Sequence, residues 1–214
     1  MKKIVKLLPV ALALMVAPMA FADTSNVAQS EMSINVAPFL NITKESETAK
    51  ANAKFNDNYT TLTLDKSLAA EFKVINNVPD KVIYLRATCP SAGGAQQALY
   101  GTAADKINIV FTNSSRQSST PASSVTNITG AGVAAAQNPN AIAFAITPTI
   151  TADTATGAST PTAEMEGNNV KYTIKNGVYS MNYTLIADAL ANTFSTHDTD
   201  GLYQATLLLT DTNP

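Results

Sequence analysis

The chain has one cysteine, one histidine and no tryptophan among its 214 residues. A lone Cys89 excludes a disulfide within one chain, so stability must come from the apolar core. Its place before Pro90 suits a small buried residue at a strand end; a bridge between two chains or a free thiol are the alternatives. One His and one Cys cannot build a zinc-type cluster. His197 sits in the polar stretch Ser195-Thr196-His197-Asp198. Neighbours in one loop do not make a Ser/His/Asp triad, whose members converge from separate elements. No glycine-rich phosphate loop is present, so the expectation is no enzyme and no cofactor. Asp198-Thr199-Asp200-Gly201 has the outline of a calcium loop, but Thr196 and Leu207 stand where ligands are needed. Its Asp-Gly is read as the turn that launches the last strand.

Charge is also scarce. Only 14% of residues are Asp, Glu, Lys or Arg, against about 25% in an average globular chain. Short neutral side chains, Thr, Ala, Asn and Ser, take their place. They lose little entropy on ordering, and Thr favours strands. Such surfaces suit extracellular β proteins. The net charge of −2 gives no basic footprint for nucleic acid and no polybasic membrane patch. Five Asn-x-Ser/Thr triplets, at Asn41, Asn58, Asn113, Asn127 and Asn182, follow from the Asn/Thr-rich composition.

There is a single long apolar run. Lys2, Lys3 and Lys6 precede Leu7–Met19, which closes on Ala20-Phe21-Ala22. A basic n-region, a short apolar core and a small-x-small site describe a secretory signal peptide over residues 1–22. The run is short for a membrane span, and Pro9 and Pro18 lie in or beside it. The working protein is expected to begin near Asp23, with 11 basic and 16 acidic side chains and a polar tail over 23–31. No later segment has the length and apolarity of a span. The expected location is the periplasm in transit, then the cell surface or the medium.

Beyond the tail the period is two. Met32, Ile34, Val36, Pro38, Leu40 and Ile42 share one parity, with Phe39 the large exception on the other. Strict alternation predicts a half-buried strand over 32–43, and Pro38 puts it at an edge or bulge. Further strands are predicted at Tyr59–Leu64, Leu68–Asn76, Val82–Thr88, Ile107–Thr112, Ile142–Thr147, Val170–Ile174, Val178–Ala187 and Leu202–Thr210. Lys175-Asn176-Gly177, between two alternating runs, predicts a β-hairpin. Residues 44–58, 113–139 and 151–169 are read as Ser/Thr/Ala/Asn-rich loops. No repeat and no convincing long helix is visible. The whole predicts one all-β domain over 32–214, a sandwich of roughly seven to ten strands.

The two ends carry a resemblance. The stretch Asp200-Gly201-Leu202-Tyr203-Gln204-Ala205-Thr206-Leu207-Leu208-Leu209-Thr210 resembles the Gly-x-Tyr ending, apolar run and Thr of bacterial fimbrial subunits of the alternate chaperone–usher, colonisation-factor type. Gly201, Tyr203, Leu207 and Leu209 are its motif residues, and the strand 32–43 is similar to the N-terminal region of such pilins. The resemblance implies an immunoglobulin-like sandwich lacking one strand, completed by the N-terminal strand of another subunit and, before assembly, by a periplasmic chaperone acting with an usher. Met32, Ile34, Val36, Leu40 and Ile42 would then be the donated row. They would equally serve as the first strand of the domain's own sheet. The implied function is an exported structural or adhesive surface subunit, self-associating or joined to other pilus subunits, its receptor unspecified. The competing reading is a monomeric secreted β-sandwich that binds carbohydrate or protein.

Overall fold

The computed structural model describes residues 30–91, 94–115, 140–191, 193–194 and 198–212. Residues 1–22, read above as a signal peptide, most of the 23–31 tail, nearly all of the 113–139 segment with Asn127, and His197 lie outside them. Among the described residues no helix is long and apolar enough to cross a membrane.

The chain divides after Val36, and the second unit, from Ala37 onward, is an all-β sandwich. Its strands in order are β1 (Leu40–Thr48), β2 (Ala53–Phe55), β3 (Leu62–Leu64), β4 (Ala69–Asn76), β5 (Lys81–Ser91), β6 (Gly94–Gln97) and β7 (Leu99–Ala103). They continue with β8 (Lys106–Asn113), β9 (Ala141–Asp153), β10 (Thr162–Glu166), β11 (Asn169–Ile174), β12 (Gly177–Ala189), β13 (Tyr203–Gln204) and β14 (Thr206–Thr210). The larger sheet runs β1-β4-β12-β9-β8-β13, with β3 and β7 pairing onto β12 and β8 and β2 onto β3. The smaller runs β10-β11-β5-β14, with β6 on β5. The count exceeds the predicted range because β2, β6, β7 and β10, each three to five residues long, are too short to show a period (β2 and β10 fall in segments read as loops), and because the predicted Leu202–Thr210 strand divides in two.

The core lies between the sheets. Phe72 and Val74 of β4 and Tyr179, Met181, Tyr183 and Leu185 of β12 face Ile83, Leu85, Ala87 and Cys89 of β5, Tyr172 and Ile174 of β11, and Leu209 of β14. Each is an alternate residue of its strand, the pattern that a sheet buried on one face demands. Fully burying a side chain of this size contributes about 1.5–3 kcal/mol. Cys89 is buried with a free thiol. Pro148 lies in β9 opposite Tyr183 of β12 and past Ile146, where pairing with β8 has stopped, so its missing N–H costs β8 no bond.

One predicted motif is overturned. Asn176-Gly177 does not join a hairpin: β11 pairs with β5 and β10, whereas β12 pairs with β3, β4 and β9. The turn is a corner between the sheets. A type I′ hairpin needs positive φ at both central residues. Gly177 has φ 131°, far from that turn, and Asn176 is not among the positive-φ residues. The corner is pinned by the Tyr179 hydroxyl, which donates to the Lys175 carbonyl (3.1 Å) and accepts from its N–H (3.0 Å). The strand predicted at Leu202–Thr210 likewise breaks at Ala205, β13 joining the larger sheet and β14 the smaller.

Candidate functional site

Two strands end the sheets on the same flank. Among the described residues, β1 pairs only with β4, and β14 only with β5. Between them lies an open groove of about 310 Å³, walled by Lys44, Glu47 and Thr48 on one side and by Thr206 and Leu207 on the other. Its floor is apolar: Phe72, Ile109, Phe111, Tyr183 and Leu185. Phe72 meets Tyr183 edge-on at 6.0 Å between ring centroids, and Phe111 meets Phe144 at 5.7 Å. The volume falls at the small end of the range typical of ligand pockets. The floor lacks the convergent polar groups that orient a small molecule. A row of apolar side chains on an extended backbone is the better match to a trough lined this way.

The two rims differ. Lys44–Thr48 is polar, exposed and bulged at Glu45, where the pairing register with β4 shifts. Lys44 and Glu47 form an ion pair at 2.8 Å, and the Ser46 hydroxyl donates to Glu71 at 3.1 Å. Charges and a bulge are the usual protection of an edge strand against pairing with another chain. β14, Thr-Leu-Leu-Leu-Thr, has no charge, proline or bulge, and its outward Leu208 is 47% exposed. The unprotected edge is therefore β14.

The alternating row at the N-terminus splits. Leu40 and Ile42 are half-buried against the domain's own core, in the ladder with β4 (Leu40 opposite Asn76, Ile42 opposite Val74). Residues 30–39 carry no regular secondary structure. Met32, Ile34 and Val36 are 88%, 92% and 75% exposed. The predicted strand over 32–43 is thus displaced to Leu40–Thr48, and three large apolar side chains of one parity are left in solvent ahead of it.

The closing motif has structural work at each position. Gly201 has φ 142°, and a Cβ there would lie 2.9 Å from the Asn113 side-chain nitrogen. Asn113, fully buried, donates to the Thr199 and Asp200 carbonyls (3.4 and 3.2 Å), so the asparagine of this Asn-x-Ser triplet is committed to the fold. The Tyr203 hydroxyl donates to the Thr199 carbonyl at 2.9 Å. Burial, with Asp198 nearby, pushes the Tyr203 phenol up to about 12. Leu209 is core and Leu207 is groove wall. Asp198 accepts from the Asn140 N–H at 2.6 Å, and no metal-competent cluster of His, Cys, Asp and Glu occurs among the described residues. The Cys89 thiol is pushed up by burial, against a hydrogen bond from Gln96 at 3.4 Å.

Sequence reasoning missed the groove floor. Phe72, Tyr183 and Leu185 carry the same alternation as any core residue, and nothing local distinguishes a core position beneath an open flank. The one available signal was the uncharged triple Leu of β14. No family model matches the chain, and no curated protein matches it significantly.

Proposed function

We propose that the protein is an exported structural or adhesive subunit of a fimbrial, pilin-like surface polymer that assembles by strand complementation. Met32–Val36 of one copy fills the groove between β1 and β14 of another and adds a strand to β14. The observation that carries this reading is the unprotected β14 edge beside an apolar groove in a chain that also exposes a matching row. Five residues, Met32–Val36, match the five of β14. At about 3.3 Å per residue, side chains of one parity repeat every 6–7 Å along the trough. Strand addition satisfies the backbone groups of the open edge and removes the row from water at once. A periplasmic chaperone and an usher are the partners that fit an open flank before assembly, and no catalytic step is assigned.

The test is a synthetic peptide of residues 30–38 added in excess to the exported full chain. The expected result is a rise in melting temperature and a loss of self-association. A stable monomer that ignores the peptide would sink the reading. Intact mass of the exported protein checks processing near Asp23.

A monomeric carbohydrate-binding module is the second reading, and one observation favours it. Tyr59 is 58% exposed with φ 55°, in the turn between β2 and β3, its ring 5.5 Å from that of Phe55. A braced, exposed ring is a surface on which the CH face of a sugar stacks. Glycan binding abolished by Tyr59→Ala, with no response to the peptide, would favour this reading.

A further inference from the structure

Asn77 follows the last residue of β4 and is exposed. Its side chain nevertheless grips the backbone just ahead of β1. Its Oδ1 accepts from the Phe39 N–H at 2.6 Å, and its Nδ2 donates to the Ala37 carbonyl at 2.9 Å. Its own N–H donates to the Phe39 carbonyl at 3.1 Å. The preceding Asn76 is buried and locks the same turn from the other side. It donates to the Val78 and Lys175 carbonyls at 2.6 and 3.0 Å and accepts from the Val78 N–H at 3.0 Å. Residues 37–39 therefore continue the line of β1 beyond its pairing with Asn76, while the groove lies toward the opposite end of β1, from Lys44 onward.

The register bears on which groove the row can reach. To turn back onto its own domain, the chain would have to reverse at Ala37-Pro38-Phe39, the residues that Asn77 holds. Even a three-residue turn there would set Val36 opposite Leu40 and Ile34 opposite Ile42. Only Met32 would arrive at Lys44, the near end of the groove. A tight turn there cannot lay the whole row of the domain's own tail along the trough, a limit that does not apply to the tail of a second copy.

We propose that Asn77 is a positioning residue for assembly: by clamping Ala37 and Phe39 it removes slack at the root of the Met32–Val36 segment, so that a second copy taking the segment seats directly against the donor's β4–β5 turn. This rests on the strand-complementation reading. The clamp acts on the donor and leaves the groove untouched, and that separation makes it testable.

The acceptor side is measured with the peptide of residues 30–38 on the full chain carrying Ile34→Asp, which cannot donate its own row, with and without Asn77→Ala. The donor side is measured as self-association of the otherwise unchanged chain with and without Asn77→Ala, alongside the curvature of any filaments in electron micrographs. The expected result is unchanged peptide affinity, self-association weakened about tenfold (the scale of having to order one released backbone residue on association) and more curved filaments. Asn77→Asp keeps the acceptor for Phe39 but cannot donate to Ala37, and should fall between. Self-association equal to that of the unaltered chain overturns the proposal. An equal loss of peptide affinity and self-association also overturns it, because the residue would then only support the fold. If the unaltered chain does not assemble and the Ile34→Asp chain does not bind peptide, the complementation reading falls first and this proposal with it.

Discussion

Ile34→Ala isolates what the exposed row contributes to assembly. Ile34 is 92% exposed in the single chain, so the domain loses almost nothing when the side chain is cut back; exposed substitutions of this kind stay within about 0.5 kcal/mol. In the groove of a second copy the same side chain would be buried against Phe72, Tyr183 or Leu185. Truncation removes three carbons, and at about 0.8 kcal/mol each the lost transfer energy is about 2.4 kcal/mol. At 1.4 kcal/mol per tenfold, the dissociation constant between copies should rise about 50-fold. Any void left in the groove adds to this. Sedimentation velocity over a dilution series reads the constant, and thermal unfolding of dilute monomer provides the control. Leu40→Ala is the contrast. Leu40 shares the parity of the row but packs on its own core, so its truncation should lower the melting temperature and act on assembly only through the fold. A shift below threefold for Ile34→Ala, or a drop in monomer stability matching that of Leu40→Ala, would refute the assignment of the row to a partner.

Leu208→Lys places a charge on the unprotected edge and should cut self-association at least tenfold; circular-dichroism melts of the monomer should move by no more than about 0.5 kcal/mol. Gly177→Ala should destabilise by more than about 1–3 kcal/mol in urea titration. Its Cβ would meet the Ala158 Cβ at 2.6 Å, in a backbone conformation that L residues rarely adopt. Alkaline pH should unfold the protein through its buried phenols. Burial holds the Tyr172 phenol at about 12, the nearby Tyr183 hydroxyl pulling weakly the other way. Since about 10 is the unfolded value, the stabilisation from Tyr172 is whole below pH 10 and about 2–3 kcal/mol is lost by pH 12. Urea midpoints between pH 9 and 12 check the sign, and Tyr172→Phe should flatten the slope. The Cys89 thiol, buried and pushed up, should resist iodoacetamide at pH 8 until the chain is unfolded.

How much was legible depended on whether a feature was local. The rows Phe72-Val74-Asn76 and Tyr179-Met181-Tyr183-Leu185 were readable because a sheet buried on one face imposes period two on its own sequence. Asn176-Gly177 marked the end of one strand and the start of the next but not a hairpin, because which sheet the next strand joins is decided by β3, β4 and β9, not by the turn. The row from Met32 to Ile42 was visible as a row. Its break at Leu40 was not, because parity continues unchanged across it. The break comes from the ladder with β4 and the grip of Asn77, both more than thirty residues further along the chain. The groove had no local signature, since it consists of the neighbour that two edges lack.

The smaller sheet has a consequence for how the chain folds. Its central strand β5 meets β6 at once at its far end, but its two flanking strands come late: Leu85 pairs with Val170, and Thr88 with Thr206 across more than half of the chain. Closing such long loops before any contact repays them is slow. A chain made N-terminus first must therefore hold Ile83, Leu85 and Ala87 without their sheet until the segment near Thr206 has emerged. Closing the smaller sheet should therefore be a late and slow step in folding, completed only when β14 reaches β5.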